Sequence, residues 1–140
     1  MSRILAIDYG RKRVGLAVSD PLGIIASGLD TVPTGEIWQF LTEYLEKEDV
    51  KTIIVGYPLQ MNHQPSESLK YIDPFVTKLK KEFTEIEVLM VDERFTSKMA
   101  KQAMVDGGLK KKARRDKGMV DKISAVIILQ THLDNIFRKI

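Results

Sequence analysis

Three acidic side chains stand where separate elements of the predicted fold end or begin: Asp8, Glu93 (or its neighbour Asp92) and Asp121. Asp8 follows the first apolar run, Glu93 follows a later apolar run and Asp92, and Asp121 opens the last helical pattern. Carboxylates from separate elements are the hard oxygen ligands that Mg²⁺ or Mn²⁺ prefers. Two such ions about 4 Å apart can activate a water and stabilise the leaving oxygen in phosphodiester hydrolysis. The order and placement of these acids therefore predict a catalytic divalent-metal site.

Each of these acids also has an ordinary structural explanation. Asp8 could cap a tight turn, because Asp and Gly are common turn residues. Asp121 is expected in the first turn of the last helix, where the helix dipole alone favours a negative charge. Side chains alternate along a strand, so Asp92 and Glu93 are expected on opposite faces, and only one of them should share a site with Asp8. No single acid is diagnostic by itself.

Cationic side chains accompany two of the acids in the sequence. Gly10 and Gly15 bracket a basic turn directly after the first strand, and one further arginine follows Glu93. The cations expected to orient a phosphate by charge-assisted hydrogen bonds are Arg11, Lys12, Arg13 and Arg94. The alternative is an ordinary hairpin whose basic tip is simply solvated.

A second group of cations lies before the last helix. Between Lys98 and Lys117 there are eight lysines or arginines and two aspartates, a net charge of +6. The whole chain carries +3, so the remainder carries −3. Such an uneven distribution favours docking of a polyanion, with Lys111, Arg114 and Arg115 as candidate nucleic-acid contacts. The alternative is a solvated loop, since basic runs are often no more than that.

Hydropathy patterns predict an α/β fold built on a mixed five-stranded sheet flanked by helices. Three short strands close together form an antiparallel meander, and a helix between two buried strands indicates a right-handed crossover to a parallel neighbour. The predicted strands are 3–8, 16–18, 24–31, 51–56 and 87–91, and the predicted helices are 36–47, 66–79, 96–105 and 117–137. Pro74 is expected to kink the second helix or to make it restart.

The loop after residue 56 follows the carboxyl end of a central strand. In open α/β sheets ligands bind at that edge, so Asn62 is expected to face the site. Ser124 and Ala125 lie one turn beyond Asp121, and their small side chains would let the last helix approach the sheet closely.

Length and composition favour one domain, residues 1–140, with a real core. Hydrophobic residues make up 44% of the chain, and no apolar run approaches the roughly 20 residues needed to span a bilayer. The chain has no cysteine, which excludes disulfides and thiolate metal sites. No signal-peptide pattern precedes the first strand, so the cytoplasm is the expected location.

Four segments carry a resemblance to a known family: IDYGRKRVGLAVSD, VGYPLQMN, VDERFTS and DKISAVIILQ. In this order and spacing they resemble the YqgF/RuvX family over essentially the whole chain. The resemblance implies an RNase H-like fold and a nuclease, because members are described as Holliday junction resolvases and as nucleases that process the 5′ end of pre-16S rRNA. It also implies Asp8, Glu93 and Asp121 as metal ligands, with Arg94 and Thr96 in a shared motif.

The sequence departs from that family in one loop and leaves several alternatives open. His63 follows Asn62 where the family usually has glycine, which predicts a stiffer loop. The basic hairpin also resembles the first phosphate loop of actin-like ATPases, although 140 residues leave no room for their second domain. A non-catalytic RNA-binding factor for ribosome assembly is another alternative. RNA or DNA as substrate, and a monomer or a homodimer, remain open.

Overall fold

The fold is a five-stranded sheet with the strand order β3-β2-β1-β4-β5. The computed structural model describes residues 2–57, 69–92, 102 and 117–138. Its strands are β1 (Arg3–Tyr9), β2 (Arg13–Ser19), β3 (Ala26–Pro33), β4 (Val50–Tyr57) and β5 (Glu87–Asp92). The pairs β1–β2 and β2–β3 are antiparallel, and β1–β4 and β4–β5 are parallel. The predicted meander and the parallel crossover are both confirmed.

The described helices cover both faces of this sheet. They are α1 (Ile37–Lys47), α2 (Leu69–Glu82) and α3 (Lys117–Arg138), and a short 3-10 turn at Thr34–Glu36 precedes α1. Leu5 and Ile7 of β1 pack on one side in a core shared with α1 and α2. Ile4 and Ala6 pack on the other side with α3. The middle of the central strand β1, residues 4–7, is apolar because both of its faces are buried there.

The last helix lies close against the sheet because small residues meet at their contact. Ala125 of α3 is fully buried with Ala17 of β2. On the sheet side, a methyl group at Gly28 would come to 3.0 Å from the Lys122 side chain. The prediction that small residues of the helix permit a close approach is confirmed, and glycines of the sheet contribute as well.

The third strand begins later than the sequence pattern predicts. Ile24 and Ile25 precede β3 and are 47% and 61% exposed. Their N–H groups donate hydrogen bonds of 2.8 Å to one carboxylate oxygen of Asp20, so they belong to the turn. An aspartate that caps a turn competes with the strand ladder for these donors, and the apolar pattern alone does not reveal this.

One expectation for the helices needs correction, and one of the two alternatives for Pro74 is excluded. Asp121 is not in the first turn of α3, because the helix begins at Lys117 and its first turn contains no acidic residue. The helix-dipole explanation for that aspartate is therefore wrong. Pro74 lies within α2, which continues without a restart from Leu69 to Glu82. Within the described residues, no helix is both long and apolar enough to cross a membrane.

Candidate active site

A cleft of about 270 Å³ lies at the end of β1, where the chain turns into β2. Its lining residues are Asp8, Gly10, Arg11, Lys12, Arg13 and Asp121. Five of these come from the β1–β2 hairpin and one comes from α3. Five of the side chains predicted for the site are therefore brought together: both described acids and all three cations of the hairpin.

Strand alternation places Asp8 in this cleft. Ile4 and Ala6 face α3, so Asp8, two residues further along β1, lies on the same face. Directly opposite Asp8 on the neighbouring strand is Gly15. Because glycine has no side chain, space on this face remains available to the aspartate and to the helix.

The close contact between α3 and β2 brings Asp121 to the cleft. A methyl group at Gly15 would overlap the backbone carbonyl of Asp121, well inside any contact that real side chains make. Only glycine therefore permits α3 to lie where it does. Asp121, one turn inside the helix, reaches the same cleft as Asp8 because of this contact.

Asp121 forms an ion pair with Arg13. The Nε atom of Arg13 donates a hydrogen bond of 3.0 Å to a carboxylate oxygen of Asp121. The two side chains are 35% and 24% exposed, so solvent screens the pair and its contribution to stability is expected to be at most about 1 kcal/mol. The pair thus orients charge in the cleft more than it stabilises the fold.

The basic turn is held by backbone contacts and by Thr34. The N–H of Gly10 donates to the carbonyl of Arg13 at 3.0 Å. The hydroxyl of Thr34 donates to the carbonyl of Gly10 at 2.7 Å, and its N–H donates to the carbonyl of Lys12 at 3.0 Å. These hydrogen bonds fix the backbone of the hairpin tip, whereas the alternative interpretation of the sequence is a tip that contacts only solvent. Sequence reasoning missed Thr34, because no local signal links it to a turn so far away in the chain.

The two acids of the cleft fit a hard divalent cation in the chemistry of their donor atoms. Both supply carboxylate oxygens, the ligand type that Mg²⁺ and Mn²⁺ prefer. Across residues 2–57, 69–92, 102 and 117–138, no group of three acids, histidines or cysteines could hold a metal. Other predicted site residues lie outside the described residues: Asn62, Glu93, Arg94, Lys111, Arg114 and Arg115.

Solved structures with the same architecture define the class of this fold. RuvC of T. thermophilus in complex with a Holliday junction substrate has a TM-score of 0.59 at 21% identity, covering 98% of this chain and 96% of that chain. Fowlpox virus resolvase, in complex with Holliday junction DNA, has a TM-score of 0.63 at 11% identity, covering 96% and 98%. At such identities the likeness concerns the fold alone. The fold is RNase H-like, of the type found in resolvases, as the sequence predicts.

The family follows from a comparison over most of the chain. The family model described as "RuvX: Holliday junction resolvase" matches residues 2–135, and this chain belongs to that family. The resemblance inferred from the four sequence motifs is confirmed.

Two relatives are similar over nearly their whole length, and both carry the name "Putative pre-16S rRNA nuclease". The protein of Phocaeicola vulgatus is 60% identical over 135 residues, 96% of this chain and 97% of its own. That of Bacteroides thetaiotaomicron is 58% identical over 135 residues, 96% of this chain and 98% of its own.

Proposed function

We propose that this protein is a metal-dependent nuclease that hydrolyses phosphodiester bonds in 5′-end processing of pre-16S rRNA, a step of ribosome biogenesis. The single observation that carries the proposal is that Asp8 and Asp121, from different elements, line one cleft with three cations. The choice of rRNA as substrate rests on the names of relatives that are 55–60% identical. The family and these names support hydrolysis of nucleic-acid ester bonds as the reaction class.

Asp8, Asp121 and Glu93 would hold the divalent ion, Mg²⁺ or Mn²⁺. Leu89 and Val91 of β5 pack on the α3 face of the sheet. Continued alternation of side chains favours Glu93 over Asp92 for that face, which supports Glu93 as the third ligand. When bound, the metal supplies an activated water and neutralises charge on the leaving oxygen.

The cations of the hairpin would bind and orient the phosphate. Arg11, Lys12 and Arg13 line the cleft beside both acids. The planar guanidinium of Arg13 suits paired hydrogen bonds to phosphate oxygens. When substrate enters, Arg13 would release the carboxylate of Asp121 and donate its hydrogen bonds to the phosphate instead. Asn62, Arg94, Lys111, Arg114 and Arg115 remain predicted substrate contacts.

A second candidate function is resolution of Holliday junctions in DNA recombination or repair. The description of the matching family favours it. Both candidates use the same cleft and the same bond cleavage, so they differ in substrate and not in chemistry. A homodimer would suit a four-way junction, whereas a monomer would suit trimming of a precursor RNA.

Two proposals of another class use the same fold without cleavage. A non-catalytic RNA-binding assembly factor would gain nothing from carboxylates beside phosphate, because like charges repel. An actin-like nucleotide-binding module would bind ATP tightly with Mg²⁺ and show no nuclease activity. The cytoplasm, where precursor rRNA is processed, is the location that the proposed function implies.

Replacing one acid of the cleft tests the proposed function. We expect Asp8→Asn to lower Mg²⁺- or Mn²⁺-dependent cleavage by about a hundredfold or more, because a lost ligand removes several kcal/mol of transition-state stabilisation. The measurement is cleavage of a labelled precursor rRNA end and of a synthetic four-way junction by the purified full chain.

The matched control is Asp134→Asn, which changes an exposed aspartate of α3 that accepts a hydrogen bond from Gln130. It should cleave like the unmodified protein. Unchanged cleavage by Asp8→Asn, with both variants folded, would remove the metal-site assignment. The preferred substrate decides between the rRNA and junction functions.

A further inference from the structure

Four aromatic side chains form a continuous row on the face of the sheet opposite the cleft. In order along the row they are Tyr71, Tyr9, Phe75 and Trp38, which we call the aromatic row. Ring centroids are 6.3 Å apart for Tyr71–Tyr9, 4.1 Å for Tyr9–Phe75 and 5.2 Å for Phe75–Trp38. The row joins β1, α1 and α2.

Core packing explains only part of this row. Phe75 is 4% exposed and belongs to the core. Tyr9, Tyr71 and Trp38 pack against that core but stay half-buried, so part of each residue remains accessible to solvent. Burial and the neighbouring Tyr71 raise the pKa of Tyr9 further above physiological pH.

Cations lie over both ends of the aromatic row. The guanidinium carbon of Arg11 is 5.3 Å from the centroid of the Tyr71 ring. The Nζ atom of Lys78 is 4.3 Å from the centroid of the Trp38 ring. Both cations are exposed, and cation–π contacts at exposed sites are worth only about 0.5–1 kcal/mol. They can therefore leave the rings for a stronger anionic partner.

The aromatic row is continuous with the candidate active site. Arg11 lines the cleft and also lies over Tyr71. Asp8 and Tyr9 are neighbours in β1 and face opposite sides of the sheet. A polyanion bound in the cleft would therefore contact Arg11, whose guanidinium also lies over the first ring of the aromatic row.

We propose that the aromatic row binds the unpaired RNA flank beside the cleaved bond, by stacking of its bases on Tyr71 and Trp38. Arg11 and Lys78 then move from the rings to the backbone phosphates. Aromatic rings with interleaved cations are the usual means of holding single strands. Paired bases hide their faces in the helix, so only an unpaired flank can use these rings. This inference rests on the nuclease function proposed above.

Trp38 allows a direct measurement, because it is the only tryptophan in the chain. A short oligouridylate, added to the full chain without divalent metal, should quench its fluorescence, whereas a blunt RNA duplex of equal length should not. Tyr71→Leu should weaken binding of the oligouridylate about tenfold, the loss expected for one stacked base. Lys78→Gln should reduce the salt slope of binding by about one unit.

The matched control is Tyr44→Leu. Tyr44 is also half-buried, and it stacks on Phe40 within α1 at 5.9 Å. This pair lies outside the aromatic row, so its loss should leave the affinity for oligouridylate unchanged. Equal losses for Tyr71→Leu and Tyr44→Leu, or tryptophan emission unaffected at saturation, would overturn the proposal. If Tyr71→Leu does not fold, the test is made with Lys78→Gln, which changes an exposed residue. An unchanged salt slope of oligouridylate binding in that variant would also overturn the proposal.

The two proposals fail separately. Loss of cleavage in Asp8→Asn together with normal oligouridylate binding by Tyr71→Leu would reject only the flank site. Normal cleavage in Asp8→Asn together with weakened binding by Tyr71→Leu would reject the metal-dependent mechanism and leave a single-strand binding surface.

Discussion

Arg13 shows how a single residue can serve two charges in one cleft. Its guanidinium pairs with Asp121 at 3.0 Å, across 108 positions of sequence. Under the proposed function, the same carboxylate is a metal ligand. A cation and a metal ion that share one carboxylate compete for it, because each neutralises the same charge.

We therefore expect Arg13→Gln to tighten binding of Mn²⁺ by up to about fivefold, because a screened pair of this kind is worth at most about 1 kcal/mol. The measurement is calorimetric titration of the full chain with Mn²⁺, without nucleic acid. Arg13→Gln should also weaken substrate binding, since a phosphate contact is lost.

Arg3→Gln is the matched control for this variant. Arg3 also pairs through Nε with a carboxylate, that of Glu48 at 3.3 Å, away from the cleft. The Arg3→Gln variant should therefore bind Mn²⁺ as tightly as the unmodified protein. Weaker binding of Mn²⁺ by Arg13→Gln would show that the arginine instead holds Asp121 in place for the metal.

At the scale of elements, the contact between α3 and β2 decides whether the two acids meet. Asp8 reaches the cleft by strand alternation within β1, at the strand end that the sequence pattern predicts. Asp121 reaches it because Gly15 leaves room for the helix backbone. From the sequence, Asp121 is expected in the first turn of this helix, where a helix dipole would explain it. The helix begins at Lys117, as predicted, but its first turn contains no acidic residue, so that explanation does not hold.

We expect Gly15→Ala to destabilise the protein by about 1–3 kcal/mol, the usual cost of overpacking, and to lower cleavage. The added methyl group would overlap the carbonyl of Asp121 and push α3 from the sheet. Urea unfolding measures the free-energy change. Gly35→Ala is the control, since nothing lies within 4 Å of the added methyl group. Equal stability of Gly15→Ala and Gly35→Ala would mean that α3 does not depend on this contact.

At the scale of the whole molecule, charge is distributed so that substrate can dock on one part of it. The segment from Lys98 to Lys117 carries +6 and the remainder carries −3. Most of that segment lies outside the described residues, so its docking role stays a prediction from sequence. Binding through such a segment is driven by release of counterions from the nucleic acid, which makes it depend on salt.

Neutralising the segment tests this role. Changing Lys110, Lys111, Lys112, Arg114 and Arg115 to glutamine should lower the affinity for RNA and flatten its salt dependence by up to about five units of slope, roughly one for each charge removed. The measurement is fluorescence anisotropy across a range of salt concentrations.

A control variant neutralises four exposed lysines elsewhere, Lys47, Lys51, Lys80 and Lys81. This control should change the salt slope of RNA binding by less per charge removed than the first variant does. An unaltered slope in the first variant would mean that the segment is not the docking surface.

The sequence by itself determined the strands, the main helices, the mixed sheet and the family. Each of these rests on local patterns: apolar runs, helical spacing and motifs within a few residues. It also identified Asp8 and Asp121 as candidate acids, and Arg11, Lys12 and Arg13 as candidate cations.

Only the tertiary structure decided which of these residues meet. The shared cleft, the Arg13–Asp121 pair and the bracing of the hairpin by Thr34 all join parts of the chain far apart in sequence. Because of the turn capped by Asp20, β3 begins at Ala26 and not at residue 24, where its apolar pattern placed the start. Local patterns report what a segment prefers, whereas such contacts depend on packing between segments, and a single glycine at a helix–sheet contact can decide them.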